Sequence, residues 1–225
     1  MAAPATSTLI LPGWLDSGPD HWQSLWQARY GYTRVQQHDW QRPLRGDWCA
    51  QLEDHVVNLV ALQKSEQQNQ QTLGLQADLT GKSASTNAST SAPDADRATH
   101  AQSTARIFLV AHSLGCHLVA AWAAASRHTS AIRGALLVAP PDVTQADLPP
   151  DLFGWRKPVL QALPFAATCV VSSSDPFSSL AAGHAMAAAW GARCIDVGPL
   201  GHLNSESGLG NWPAGYAMLL DLAAA

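Results

Sequence analysis

Residues 107–124 read IFLVAHSLGCHLVAAWAA. The first part, Ile107 to Ala111, is a short continuous run of branched and aromatic side chains, the composition of a strand buried on both faces. The second part, from Leu114 onward, holds Leu, Ala, His, Val and Trp with no Pro, and is long enough for a helix. Ser113 therefore stands at a strand-to-helix junction. So abrupt a junction forces a sharp turn whose flanking residues must be small, as Ala111 and Gly115 are. A hydroxyl at the tip of such a turn is held clear of the packed layers, and the N–H groups of the following helix point toward whatever it attacks. A serine before a helix can also be a simple cap, and Ala111 stands where the commonest form of this signature has Gly. The junction thus nominates Ser113 as a nucleophile and asks for partners elsewhere in the chain.

Working outward, the remaining segments alternate. The chain opens with a strand over Thr8–Leu11 stopped by Pro12-Gly13, then a helix carrying Trp22, Leu25 and Trp26 on one face with Asp20 as its cap. TRVQQHDW is a second, more polar strand, and GDWCAQLEDHVVNLVALQ is a helix capped by Asp47 with Trp48, Leu52, Val56, Leu59 and Val60 along one stripe. After the junction, GALLVAP and ATCVVSSS are strands, Leu180–Trp190 a helix, ARCIDV a strand, and the C-terminal GNWPAGYAMLLDLAAA a helix. Strands alternating with helices imply an α/β fold with a mostly parallel sheet covered on both faces. Ligands on such a sheet bind beyond the C-terminal ends of the strands. From about Gln63 to Ala105 large apolar residues nearly vanish in favour of Gln, Ser, Thr, Ala and Asn. A segment of that kind buries too little surface to offset its ordering entropy, so the expectation is a disordered, passive insertion at about 63–105 within a single domain, 1–225.

Composition narrows the function. With 225 residues of which 47% are hydrophobic, the chain can bury one substantial core. A net charge of −4 without a Lys/Arg cluster argues against a nucleic-acid partner. No apolar run approaches the roughly 18 residues that cross a bilayer, and the N-terminal stretch lacks the basic start of a signal peptide; no membrane association and a cytoplasmic location are expected. Cys49, Cys116, Cys169 and Cys194 show no metal-ligand spacing and are expected as reduced thiols. His112 and His117 are five residues apart, and no HExxH-type pair occurs, so no metal is assigned. The residues leave the oligomeric state open.

A serine nucleophile needs a base and a carboxylate that orients the base. Asp175 follows CVVSSS directly and precedes Pro176, and His202 lies in the polar loop PLGHLNSESG after the last strand, so both fall at the strand edge where Ser113 lies. Asp196 is the alternative acid. The chain order Ser, Asp, His is that of an α/β-hydrolase. A tetrahedral intermediate also needs two N–H donors. Leu114, at the helix start, supplies one; LPGW after the first strand brings the other, Trp14 or alternatively Leu15, with Gly13 permitting close approach.

In order along the chain, LPGW…SGPDHWQSLW, HDW..P, VAHSLGC, APPDV, SSSDPF and GHLNSESGLGNWPAGY resemble the small α/β-hydrolase family of retinoblastoma-binding protein nine and the YdeN proteins. The resemblance covers nearly the whole chain outside the Gln/Ser/Thr-rich segment. It implies a compact serine hydrolase with Ser113, Asp175 and His202 as its triad and no cofactor. Residues 140–165, between two strands, are too few for a large cap domain. A shallow mouth is expected, with Trp14, Phe153, Trp155 and Phe177 around it and His112 beside the nucleophile. The expected substrate is a small, mostly uncharged acyl ester, with thioester or amide as variants. The competing expectation is a protein-binding module that keeps the scaffold and has lost turnover.

Overall fold

The computed structural model describes residues 6–81 and 106–224. Six parallel strands form one sheet: β1 (Thr6–Leu11), β2 (Thr33–Arg34), β3 (Arg106–His112), β4 (Ile132–Val138), β5 (Ala166–Val171) and β6 (Arg193–Asp196), in the spatial order β2-β1-β3-β4-β5-β6. Five α-helices connect or follow them: α1 (Trp22–Tyr30), α2 (Arg45–Gly81), α3 (Leu114–Ala123), α4 (Leu180–Ala189) and α5 (Pro213–Ala224).

Strand side chains alternate between the two faces, and the core divides accordingly. Leu9 and Leu11 of β1 with Ile107, Leu109 and Ala111 of β3 pack against Trp48, Leu52 and Val56 of α2, Val119 and Trp122 of α3, and Met186 and Ala187 of α4. Ile10, Phe108, Val110, Leu136 and Val170 face the other way, onto Trp22 and Trp26 of α1 and Leu219 and Leu222 of α5. Both faces are covered by helices, which is why β3 reads as an unbroken apolar run.

The strand order reverses direction between β1 and β3: the chain leaves β1 for β2 on one side and returns to β3 on the other. Loops leaving β1 and β3 therefore diverge and open a crevice at the C-terminal edge, the expected ligand position in such sheets. Between β4 and β5 the only helical piece is one 3₁₀ segment, Pro150–Trp155, so no cap domain covers that edge.

Four expectations change, the first being that the strand expected over TRVQQHDW is confined to Thr33–Arg34. The segment expected to be disordered from about residue 63 is helical as far as Gly81, as the continuation of α2; residues 82–105 lie outside the described residues. The reason is that Gln, Lys, Glu and Leu lose little side-chain freedom in a helix, so a stretch too polar to fill a core can still propagate one that has already nucleated on a packed stripe. Asp20 does not cap α1; the imidazole of His21 does, its Nδ1 accepting from the Gln23 N–H at 3.1 Å. Asp47 lies inside the first turn of α2, which starts at Arg45.

Among the described residues, no helix is long and apolar enough to cross a membrane. All four cysteines are free.

Candidate active site

The turn after β3 takes the shape its small residues allow. Ser113 adopts φ 54°, ψ −126°, a region that costs a non-glycine residue energy and is held by its surroundings. Its N–H bonds to the carbonyl of Val138 at 2.9 Å, extending the β3–β4 pairing into the turn. Gly115 is required two residues on: a Cβ there would lie 2.4 Å from the Leu11 carbonyl oxygen and 2.8 Å from that of Pro12. The start of α3 thus presses directly on the end of β1.

Ser113, His202 and Asp175 form one hydrogen-bonded chain. His202 Nε2 lies 2.9 Å from Ser113 Oγ, and His202 Nδ1 lies 2.9 Å from each carboxylate oxygen of Asp175. The carboxylate fixes the tautomer: Nδ1 carries the hydrogen and donates to Asp175, which leaves Nε2 free to accept from the serine hydroxyl. The Asp175 side chain is almost wholly buried. Asp196 is turned to another task, its carboxylate accepting from the Gly198 N–H at 2.8 Å.

Serine hydroxyls lash the loops after β5 and β6 together. Ser172 Oγ accepts from the Leu200 N–H at 2.9 Å and Ser174 Oγ from the Gly201 N–H at 2.9 Å, while the Ser173 N–H donates to the Gly198 carbonyl. From the far side, the buried His112 imidazole donates through Nε2 to the backbone carbonyl of His202 at 2.9 Å, and the Trp22 indole donates to the next carbonyl, Leu203, at 2.8 Å. His112 is therefore no part of an open pocket: β3 alternation turns it onto the α1 face, where its ring lies 4.7 Å from that of His21. Burial holds the pKa of His112 well below the ordinary histidine range and brings that of His21 down to about 4.

The loop after β1 approaches the serine from the other side. A Cβ on Gly13 would sit 2.6 Å from Ser113 Cβ, so only glycine lets the chain pass this close. Of the two expected donors on this loop, the Leu15 N–H is already bonded to the Trp40 carbonyl at 3.1 Å, which leaves Trp14. The Trp14 ring is anchored outward, its Nε1 donating to the Gln41 carbonyl at 2.7 Å. Leu114 opens α3, where N–H groups have no intrahelical acceptor.

Of the aromatic residues expected at the mouth, Phe177 is there: 52% exposed, its ring edge-on to the His202 imidazole with centroids 4.6 Å apart. Phe153 is half-exposed, with the Arg156 guanidinium 4.0 Å above its ring. Trp155 is a correction: at 1% exposure it is core, packed on Trp48 and donating to the Pro43 carbonyl. Its large apolar ring gains more from burial than a rim position offers. Among the described residues, no group of three His, Cys, Asp or Glu side chains is placed to hold a metal ion.

A model of a family described as serine hydrolases matches residues 8–63 and 75–221. The chain belongs to that serine hydrolase family. Within the solved structures, this hydrolase is similar to a YdeN-like hydrolase from Pectobacterium atrosepticum, at 20% identity over 97% of this chain and 91% of the other, with a TM-score of 0.68. It is similar also to the ydeN gene product of Bacillus subtilis, at 16% identity over 98% of this chain and 100% of the other, TM-score 0.63. An esterase from Rhodococcus sp. shares the fold at 11% identity, over 97% and 90% of the two chains, TM-score 0.53. No curated protein matches the sequence. The chain is thus a serine hydrolase that shares the fold of the YdeN-like hydrolases, without a large cap.

The polar residues that hold this hydrolase's site together escape a reading by motif. Gln23 is fully buried in α1, its amide donating to the carbonyls of Leu11, the last residue of β1, and Val110, near the C-terminal end of β3. Ser172, His21 and Arg34 are likewise buried supports. The one available signal is that His21 and Gln23 fall within SGPDHWQSLW, a block that otherwise reads as an amphipathic helix start.

Proposed function

We propose that this serine hydrolase cleaves small, mostly uncharged acyl esters through an acyl-enzyme on Ser113. The observation that carries the reading is the unbroken chain from Ser113 Oγ through His202 to the buried Asp175, with both links at 2.9 Å. His202 Nε2 takes the hydroxyl proton as Ser113 Oγ attacks the carbonyl carbon, and Asp175 stabilises the imidazolium that forms. The carbonyl oxygen, now negative, is met by the N–H groups of Leu114 and Trp14. Collapse of this intermediate expels the alkoxide, which takes the proton from His202. Water then attacks the acyl-enzyme with His202 again as base, and Ser113 is released.

Esters fit better than amides because an alkoxide demands less of the acid than an amine leaving group does. An acyl chain would lie across Phe177 and Leu15, both large apolar side chains left more than half exposed at this edge. Surface of that kind contributes about 25 cal/mol per Å² buried when a ligand covers it. The enzyme is expected to act on soluble substrates within the cytoplasm.

The test is labelling of the purified protein with a fluorophosphonate, followed by peptide mapping, with Ser113→Ala alongside and chromogenic esters of graded acyl length. A single adduct on Ser113, lost in the variant together with ester turnover while the melting temperature stays within a few degrees, is expected. A folded protein that takes no label would overturn the reading and favour the binding-module alternative.

A further inference from the structure

The loop after β1 is bent in an unfavourable way. Leu15 and Asp16 are consecutive non-glycine residues with φ 67° and 65°, a left-handed conformation that crowds Cβ against the backbone and that leucine rarely adopts. Something must hold the bend in place. The structure puts one side chain over it: Arg34, from the short edge strand β2, with only 8% of its side chain exposed.

Every prong of that guanidinium is engaged. Nη1 forms an ion pair with Asp16 and donates to the Ser17 carbonyl at 3.1 Å. Nη2 donates to Ser24 Oγ at 2.6 Å and Nε to Gln27 Oε1 at 2.9 Å, both on α1. Ser24 Oγ donates back to the Ser17 carbonyl, and Ser17 Oγ donates to Gln23 Oε1. The planar fork therefore ties the bend to α1 and, through Gln23, to the ends of β1 and β3. Arg34 sits level with Ile10, its partner in the β1–β2 register, so it reaches the loop from the strand beside the one that delivers it.

We propose that Arg34 is the positioning residue of the oxyanion site: by holding the left-handed bend at Leu15 and Asp16 it keeps the Trp14 N–H at the place where negative charge develops. Arg34 touches neither Ser113 nor the acyl group and acts only through the loop. The inference rests on the acyl-enzyme reading above. It predicts a loss in the chemical step and not in ground-state binding, because an oxyanion donor is worth most once charge has formed on the oxygen. Lysine is a poor substitute, since an ammonium has no fork with which to bridge Asp16, Ser17 and α1 together.

The experiment measures fluorophosphonate labelling rate, kcat, KM and thermal unfolding for wild type, Arg34→Met, Arg34→Lys, Asp16→Asn and the double variant Arg34→Met/Asp16→Asn. Asparagine tolerates the left-handed region, so Asp16→Asn removes the ion pair while keeping the bend accessible. It keeps the test decisive if the Arg34 variants do not fold. Expected are a tenfold to hundredfold fall in kcat and in labelling rate for Arg34→Met, KM within about threefold of wild type, a smaller fall in the same direction for Arg34→Lys and Asp16→Asn, and a double variant no slower than Arg34→Met, because both changes release one device. A lowered melting temperature with kcat and labelling rate unchanged would make Arg34 a scaffold residue only and overturn the proposal. Additive losses would separate Asp16 from Arg34 and overturn it as well. Failure of the wild type to label is a different result: it removes the acyl-enzyme and this inference with it.

Discussion

The two halves of the site are built on different principles. The half proposed as a triad is made of side chains: Ser113, His202 and Asp175 come from loops after three strands and meet through polar atoms that can be removed one at a time. The half proposed to hold the oxyanion is made of backbone: the Trp14 and Leu114 N–H groups cannot be deleted, and what can be altered is only the glycine that lets the loop pass Ser113 and the buried polar groups that hold it. The triad half is consequently fragile in chemistry but tolerant in fold, whereas the oxyanion half is sensitive in geometry. Between them stand two buried imidazoles, His21 capping α1 on one side and His112 bonded to the carbonyl of His202 on the other.

Removing the orienting acid breaks the triad half alone. Asp175→Asn keeps the size of the side chain but lets His202 take the wrong tautomer, and kcat should fall by roughly four orders of magnitude. A circular dichroism spectrum like that of wild type, alongside steady-state ester kinetics, checks that the loss is chemical. A mild loss would show that another group orients the base.

Gly13→Ala should break the oxyanion half alone. The added methyl would sit 2.6 Å from Ser113 Cβ, so the loop must move away from the nucleophile. A fall of about two orders of magnitude in kcat is expected, of the size seen when one oxyanion donor is lost, with hydroxyl, imidazole and carboxylate all still present. Retained activity would mean that the loop supplies no donor.

The buried histidines, two of them between the halves and His117 on α3, should show themselves in stability. His21, His112 and His117 all have pKa values below the ordinary histidine value, burial being the largest cause in each, and that of His21 lies near 4. The unfolded chain therefore binds protons that the folded one refuses. Stability is fully present above about pH 6.5, the unfolded value, and is lost as pH falls toward the folded values, for His21 between about 6.5 and 4. Melting temperatures recorded across pH 8 to 4 should be flat at the top and decline below 6.5. His21→Asn, which can still cap α1, should make that decline shallower; an unchanged slope would mean that His21 does not contribute to it.

Legibility in the sequence follows the same division. Ser113, Asp175 and His202 are legible because each lies in the turn or loop after a strand that the sequence predicts and because a hydroxyl, a carboxylate and an imidazole occur in the chain order of an α/β-hydrolase. The sheet is legible because burial on both faces imposes unbroken apolar runs. Trp155 misleads: in the sequence its loop borders the catalytic edge, and only the packing of Pro43 and Trp48 shows it turned inward. Residues 63–81 mislead in the opposite sense, since low apolar content argues against burial and says little about whether a helix that began at Arg45 continues.

By itself the sequence nominated a serine, a carboxylate and an imidazole and the edge of a parallel sheet on which they fall, because strand periodicity and residue type are local properties of the chain. Only the tertiary structure decided which polar residues hold them in register. Gln23, Arg34, His112 and Ser172 act through contacts with segments as many as 90 positions away. A buried polar group takes its role from whichever partner satisfies it, and that partner is chosen by the packing of the whole fold.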